Sequence, residues 1–178
     1  MQPETPFEPQ RILEVLASHR VRHVVIGAYA ATLAGVEVIT RDVDITPALE
    51  PSNLGRLATA LQELHAGIRV PNEPPVPLPA DARLLASAEI WNLATDAGDL
   101  DITVRPDGTD GYEDLRRTAH RQPLGDGLYI MVAALRDVIR SKTAAGRAKD
   151  LDALPALHAA LQRQQERERN VEDADRES

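Results

Sequence analysis

Two short segments of this chain alternate acidic and apolar residues in the same way: Asp42-Val43-Asp44-Ile45-Thr46 and Asp99-Leu100-Asp101-Ile102-Thr103-Val104. A period of two marks a β-strand with one face in a core, because successive side chains point to opposite sides of the sheet. Asp42 and Asp44 then share a face about 7 Å apart, at a rise of about 3.3 Å per residue. Asp101 stands between Leu100 and Ile102 on the second strand, and if the two strands are neighbours the three acids converge.

The rest of the chain supplies the elements such a sheet needs. Glu8 to Ser18 carries Ile12, Leu13, Val15 and Leu16 at helical spacing, and the apolar run His23 to Gly27 predicts a buried strand ended by glycine. Ala28 to Leu33 is Ala-rich and suits a short helix, with Gly35 placed to end it. Pro51 to Leu64 has proline and serine at its start and Leu54, Leu57, Leu61 and Leu64 on one stripe, so a second amphipathic helix is expected. Pro71 to Asp81 holds five prolines and fits neither a helix nor a central strand. Leu84 to Leu93 is read as extended, Pro106-Asp107-Gly108 as a turn, and Gly127 to Val132 as a strand entering a helix from Ala133 to about Ala145. Gly146 breaks that helix before another, Arg147 to Leu161. These elements predict an α/β (α+β) fold, a mixed β-sheet flanked by helices with a C-terminal helical segment. One domain over residues 1–162 is expected, followed by a charged, frayed tail over 163–178, where four arginines and six acids leave almost nothing apolar.

Composition narrows the function. No cysteine is present, which excludes disulfides, thiolate metal sites and a cysteine nucleophile. No window is apolar enough to cross a membrane as a helix, and no secretory leader precedes the first helix, so a cytoplasmic location is expected. A net charge of −8 argues against wrapping nucleic acid by bulk electrostatics. Between Leu115 and Lys149, however, eight basic residues face two acids, a local excess suited to a nucleotide or an RNA end, or equally to a solvated basic face. The five histidines show no metal-ligand spacing, and neither a P-loop nor a G-x-S-x-G pattern occurs.

Paired carboxylates on one strand face suit magnesium, which prefers oxygen ligands and is usually held by one or two carboxylates plus substrate phosphates. A D-x-D also arises on solvated strands, so its setting carries the weight. An apolar strand ending in glycine, a short helix, the D-x-D and then an isolated acid between apolar residues is the order of elements in a nucleotidyltransferase. The two lysines among twenty basic residues, Lys142 and Lys149, both fall near the far end of the chain, where a compact ammonium can meet a phosphate. Asp150 beside them either orients a lysine or the acceptor, or forms a helix-surface ion pair, and Arg41 either faces phosphate or balances the neighbouring aspartates.

These residues, namely Val24 to Ala28, Thr40 to Ile45, Leu100 to Ile102 and Lys142 to Leu151, resemble the motifs of the bacterial minimal nucleotidyltransferases, and within them the AbiEii-like toxin group. The resemblance spans roughly Val21 to Leu157. It implies transfer of a nucleoside monophosphate from a triphosphate to an acceptor, with Mg2+ or Mn2+ held by Asp42 and Asp44. Asp101 would complete the metal site or activate the acceptor hydroxyl, and Gly27, Ala28, Arg41, Lys142, Lys149 and Asp150 would contact the nucleotide. The implied partners are a nucleoside triphosphate, a tRNA or other RNA acceptor, and a cognate antitoxin. One position departs: the family usually has Gly-Ser or Gly-Gly after the first strand, where this chain has Gly27-Ala28. Without the hydroxyl, backbone N–H groups carry more of the phosphate contact. That departure keeps a second reading open, a catalytically weak or inactive nucleotidyltransferase-fold binding or antitoxin module.

Overall fold

A computed structural model describes residues 6–79 and 81–176. Its centre is an eight-stranded mixed sheet in the order β4-β3-β5-β6-β2-β1-β8-β7. The strands are β1 (His23–Ile26), β2 (Asp42–Pro47), β3 (Gly67–Ile68), β4 (Val76–Pro77), β5 (Ile90–Thr95), β6 (Gly98–Thr103), β7 (His120–Gly125) and β8 (Leu128–Val132). Seven helices connect them: α1 (Pro9–Ser18), α2 (Gly27–Leu33), α3 (Pro51–Glu63), α4 (Ala82–Leu85), α5 (Tyr112–Leu115), α6 (Leu135–Ala145) and α7 (Ala148–Arg176). The mixed sheet flanked by helices, with a helical C-terminal segment, is the architecture that the alternating segments imply.

The core is aliphatic. Ile12, Leu13 and Leu16 of α1 and Leu54, Leu57 and Leu61 of α3 bury one stripe each, in one cluster with Val43 and Ile45 of β2 and Leu100 and Ile102 of β6. These strand residues are the apolar halves of the two alternations, so filling the core forces Asp42, Asp44, Asp99 and Asp101 to the opposite face. β1 sits between β2 and β8, with Val24 and Val25 fully buried, as its unbroken apolar run requires.

Proline marks both edges of the sheet. β4, inside the proline-rich segment, ends the sheet on one side, and β7, which carries Pro123 beside a register irregularity, ends it on the other. A residue without an N–H can sit only where no neighbouring strand needs that donor. Leu84 to Leu93, expected to be extended, instead divides into the end of α4, a turn and the first part of β5. Asp81 starts that short helix by accepting from the Leu84 N–H at 2.8 Å. At the C-terminus α7 runs on to Arg176 where a frayed end is expected from residue 163, and its side chains from 165 to 174 are exposed. Residues 177 and 178 of that tail lie outside the described chain.

Asn53 fastens the sheet to α3. It is fully buried, accepts from the Arg22 N–H at 2.7 Å, and donates to the Arg22 carbonyl at 2.9 Å and the Ala48 carbonyl at 2.8 Å. One side chain therefore ties together the residue before β1, the residue after β2 and the first turn of α3. Asn53→Ala leaves these backbone groups without that partner, and a loss of about 2–3 kcal/mol is expected in urea unfolding; a change below ~0.5 kcal/mol would show that the backbone groups find other partners.

Candidate active site

β2 and β6 are parallel neighbours, in a register that places Asp42 opposite Asp99 and Asp44 opposite Asp101. Four acids thus form a two-by-two array on one face. Three of them, Asp42, Asp44 and Asp101, each bring a carboxylate oxygen within 4.8 Å of the others'. An all-oxygen set at that spacing is compatible with a hard divalent cation. Thr40 holds Asp42 in place by donating to its carboxylate at 2.7 Å.

The triad faces a cleft of about 770 Å³. Gly27 and Ala28, at the start of α2, line one side, and Arg41 lies beside Asp42. Gly27 has φ +67°, and a Cβ there would come within 2.4 Å of an Asp44 carboxylate oxygen. The glycine that ends β1 is therefore required twice, for its left-handed backbone and for the room it leaves Asp44.

Lys142, Lys149 and Asp150 line the same cleft from α6 and α7. Gly146 ends α6 in the left-handed conformation and its N–H donates to the Lys142 carbonyl, so the chain doubles back between the two helices. The return brings Asp150 to Lys142, whose ammonium donates to it at 2.8 Å, while Arg147 donates to the other carboxylate oxygen at 2.5 Å. With its side chain only 1% exposed, Asp150 is not a surface ion-pair partner but a buried anchor that orients both cations. Burial acts to raise its pKa, yet the hydrogen bonds from Lys142 and Arg147 hold it below the usual carboxylate range. All nine residues expected at the site by sequence thus meet in one cleft.

Two residues at the site were not named as candidates from the sequence. Arg147 stands within the quoted motif, three residues before Asp150, a spacing that signals the pair. Arg69, just beyond β3, donates to both oxygens of Asp101 at 2.7 and 3.0 Å and also bonds Asp99. No local pattern announces it. The basic excess between Leu115 and Lys149 is not one patch: Arg116 pairs with Glu113, Arg140 with Asp114 and Asp137, and Arg121 stacks on the Tyr129 ring at 3.5 Å.

The fold resembles a crystal structure of a candidate nucleotidyltransferase from Thermotoga maritima. The TM-score is 0.52 at 17% sequence identity, over 87% of this chain and 96% of that one. At that identity the likeness is one of fold alone. No family profile matches the sequence, and no curated protein matches it. No helix among the described residues is long and apolar enough to cross a membrane.

Burial, with the neighbouring Asp42 and Asp101 carboxylates, pushes Asp44 up to about 7, while Lys142 and Lys149 act in the opposite direction. The folded protein then binds a proton at Asp44 that the unfolded chain releases near pH 4, so this group lowers stability as pH rises from about 4 to about 7. Asn mimics the protonated form. In EDTA at pH 8, Asp44→Asn is expected to melt about 4 °C above the wild type, an effect of roughly 1–2 kcal/mol at this chain length. The gap should narrow as pH falls through 7 and close near 4; a pH-independent difference in melting temperature would rule out the strained carboxylate.

Proposed function

We propose that the chain is a metal-dependent nucleotidyltransferase that moves a nucleoside monophosphate from a nucleoside triphosphate to an acceptor hydroxyl. The observation that carries this reading is the cleft itself, lined by three clustered carboxylates together with Lys142, Arg147 and Lys149. Asp42, Asp44 and Asp101 would hold the Mg2+ or Mn2+, which when bound neutralises phosphate charge and orients the reacting oxygens. Lys142 and Arg147, set by Asp150, offer donors to the triphosphate, and Lys149 adds positive charge at the cleft wall. Gly27 gives the backbone room to approach, and with Ala28 in place of a serine the phosphates meet main-chain N–H groups rather than a hydroxyl. In the reaction the acceptor hydroxyl would give its proton to Asp101 or to solvent, its oxygen forms a bond to the α-phosphorus, the bond from that phosphorus to the oxygen bridging to the β-phosphate breaks, and pyrophosphate leaves with that electron pair.

The order of motifs supports a place in the AbiEii-like toxin group, with tRNA or another RNA as acceptor, a cognate antitoxin as partner, and the cytoplasm as the site of action. Residues 1–162 would form the catalytic domain, and 163–178 a charged extension. Ala28 is the specific observation behind a second reading, a weak or inactive binding module of the same fold.

Incubation with each α-labelled nucleoside triphosphate, Mg2+ and total tRNA, followed by electrophoresis, is expected to label an RNA species. Asp44→Asn should lower that labelling by about 100-fold or more, since it removes a carboxylate from the metal set; equal labelling by the variant would refute the assignment of the acids.

A further inference from the structure

Arg69 follows a strand of only two residues, yet its side chain reaches the acid array from the far side of β5. Its backbone N–H donates to the Asn92 carbonyl at 2.9 Å, extending the β3–β5 pairing by one residue. Asn92 in turn stands opposite Asp101 in the β5–β6 register, so the guanidinium crosses one strand to arrive at the next. There it is held at two points. One nitrogen donates to both oxygens of Asp101, at 2.7 and 3.0 Å, and another bonds Asp99, two residues earlier on the same face. The Asp101 side chain is 15% exposed and that of Asp99 is 37%, so Asp99 anchors the guanidinium from the open side while Asp101 receives it further in.

The arrangement divides the four acids into two kinds. Asp99 is drawn to Arg69 and takes no part in the cluster of Asp42, Asp44 and Asp101. Asp101 belongs to both sets. An aspartate on a strand face can turn about two side-chain bonds, and repulsion from Asp42 and Asp44 favours turning away from them. A planar, charged donor fixed by a second carboxylate opposes that turn, because the guanidinium keeps its charge and presents its N–H groups in a rigid fork. Partners of this kind behind a coordinating carboxylate usually alter metal affinity by 10–100-fold.

We propose that Arg69 is a positioning residue for the divalent-cation site: braced by Asp99, it holds Asp101 turned toward Asp42 and Asp44. This rests on the reading that the three acids take a divalent cation. Mn2+ titration of the full chain, followed by electron paramagnetic resonance without nucleotide, tests it in the wild type and in Arg69→Gln, Arg69→Lys and Asp99→Asn, with melting temperatures recorded alongside. Arg69→Gln is expected to weaken Mn2+ binding about 10-fold or more. Arg69→Lys, which keeps the charge and loses the fork, should recover part of that loss, and Asp99→Asn should show a smaller loss at an unchanged melting temperature. A folded Arg69→Gln protein that binds Mn2+ as tightly as the wild type, or more tightly, overturns the proposal. If Arg69→Gln does not fold, wild-type affinity in both Arg69→Lys and Asp99→Asn overturns it equally. A wild type that binds no Mn2+ removes the metal reading as well, which separates the two failures.

Discussion

Four carboxylates on adjacent parallel strands repel one another, and everything around them counters that repulsion. Asp42 and Asp44 stand opposite Asp99 and Asp101 because Val43, Ile45, Leu100 and Ile102 must fill the core from the other face. The hydrophobic effect thus concentrates the negative charge as a by-product of packing. Arg69 offsets it along β6, Thr40 steadies Asp42, and the positive charges of Lys142 and Lys149 act on Asp44. Asp44 nevertheless stays strained, with its carboxyl pushed up to about 7.

Two glycines convert backbone geometry into chemistry. Gly27 follows Ile26, the cross-strand partner of Asp44, and leaves room for that carboxylate. Gly146 doubles the chain back so that Asp150, eight residues beyond Lys142, can bond it and Arg147 together. Both parts of the cleft therefore depend on left-handed residues far apart in the sequence, brought together through the contact of α2 with α6.

The period-two alternation made both aspartate strands legible, because one buried face imposes it, and the apolar run of β1 was equally plain. Gly27 and Gly146 could be read as element boundaries for the same local reason. Adjacency and register are different: whether Asp101 stands beside Asp44 depends on which strands pair, and no local pattern encodes that. Arg69 was illegible because β3 has two residues, too few to show a period, and its partners lie 30 and 32 residues away. β7 was hidden by Pro123, which an edge strand tolerates and a central strand would not. The last four turns of α7, from Arg163 to Arg176, carry charge with Val171 and Ala174 as their only apolar residues, so their helix cannot be inferred from periodicity; an i,i+4 pair between Gln164 and Glu168 is a local contact that favours it.

The central claim is that the acidic and the basic residues lining one cleft act together on a metal-bound triphosphate. Calorimetric titration of the full chain with each of the four ribonucleoside triphosphates, in Mg2+ and again in EDTA, addresses it most directly. The account predicts saturable binding of at least one triphosphate in Mg2+ that is lost in EDTA. Absence of binding for all four in Mg2+, or binding that is unchanged when the metal is removed, would contradict it.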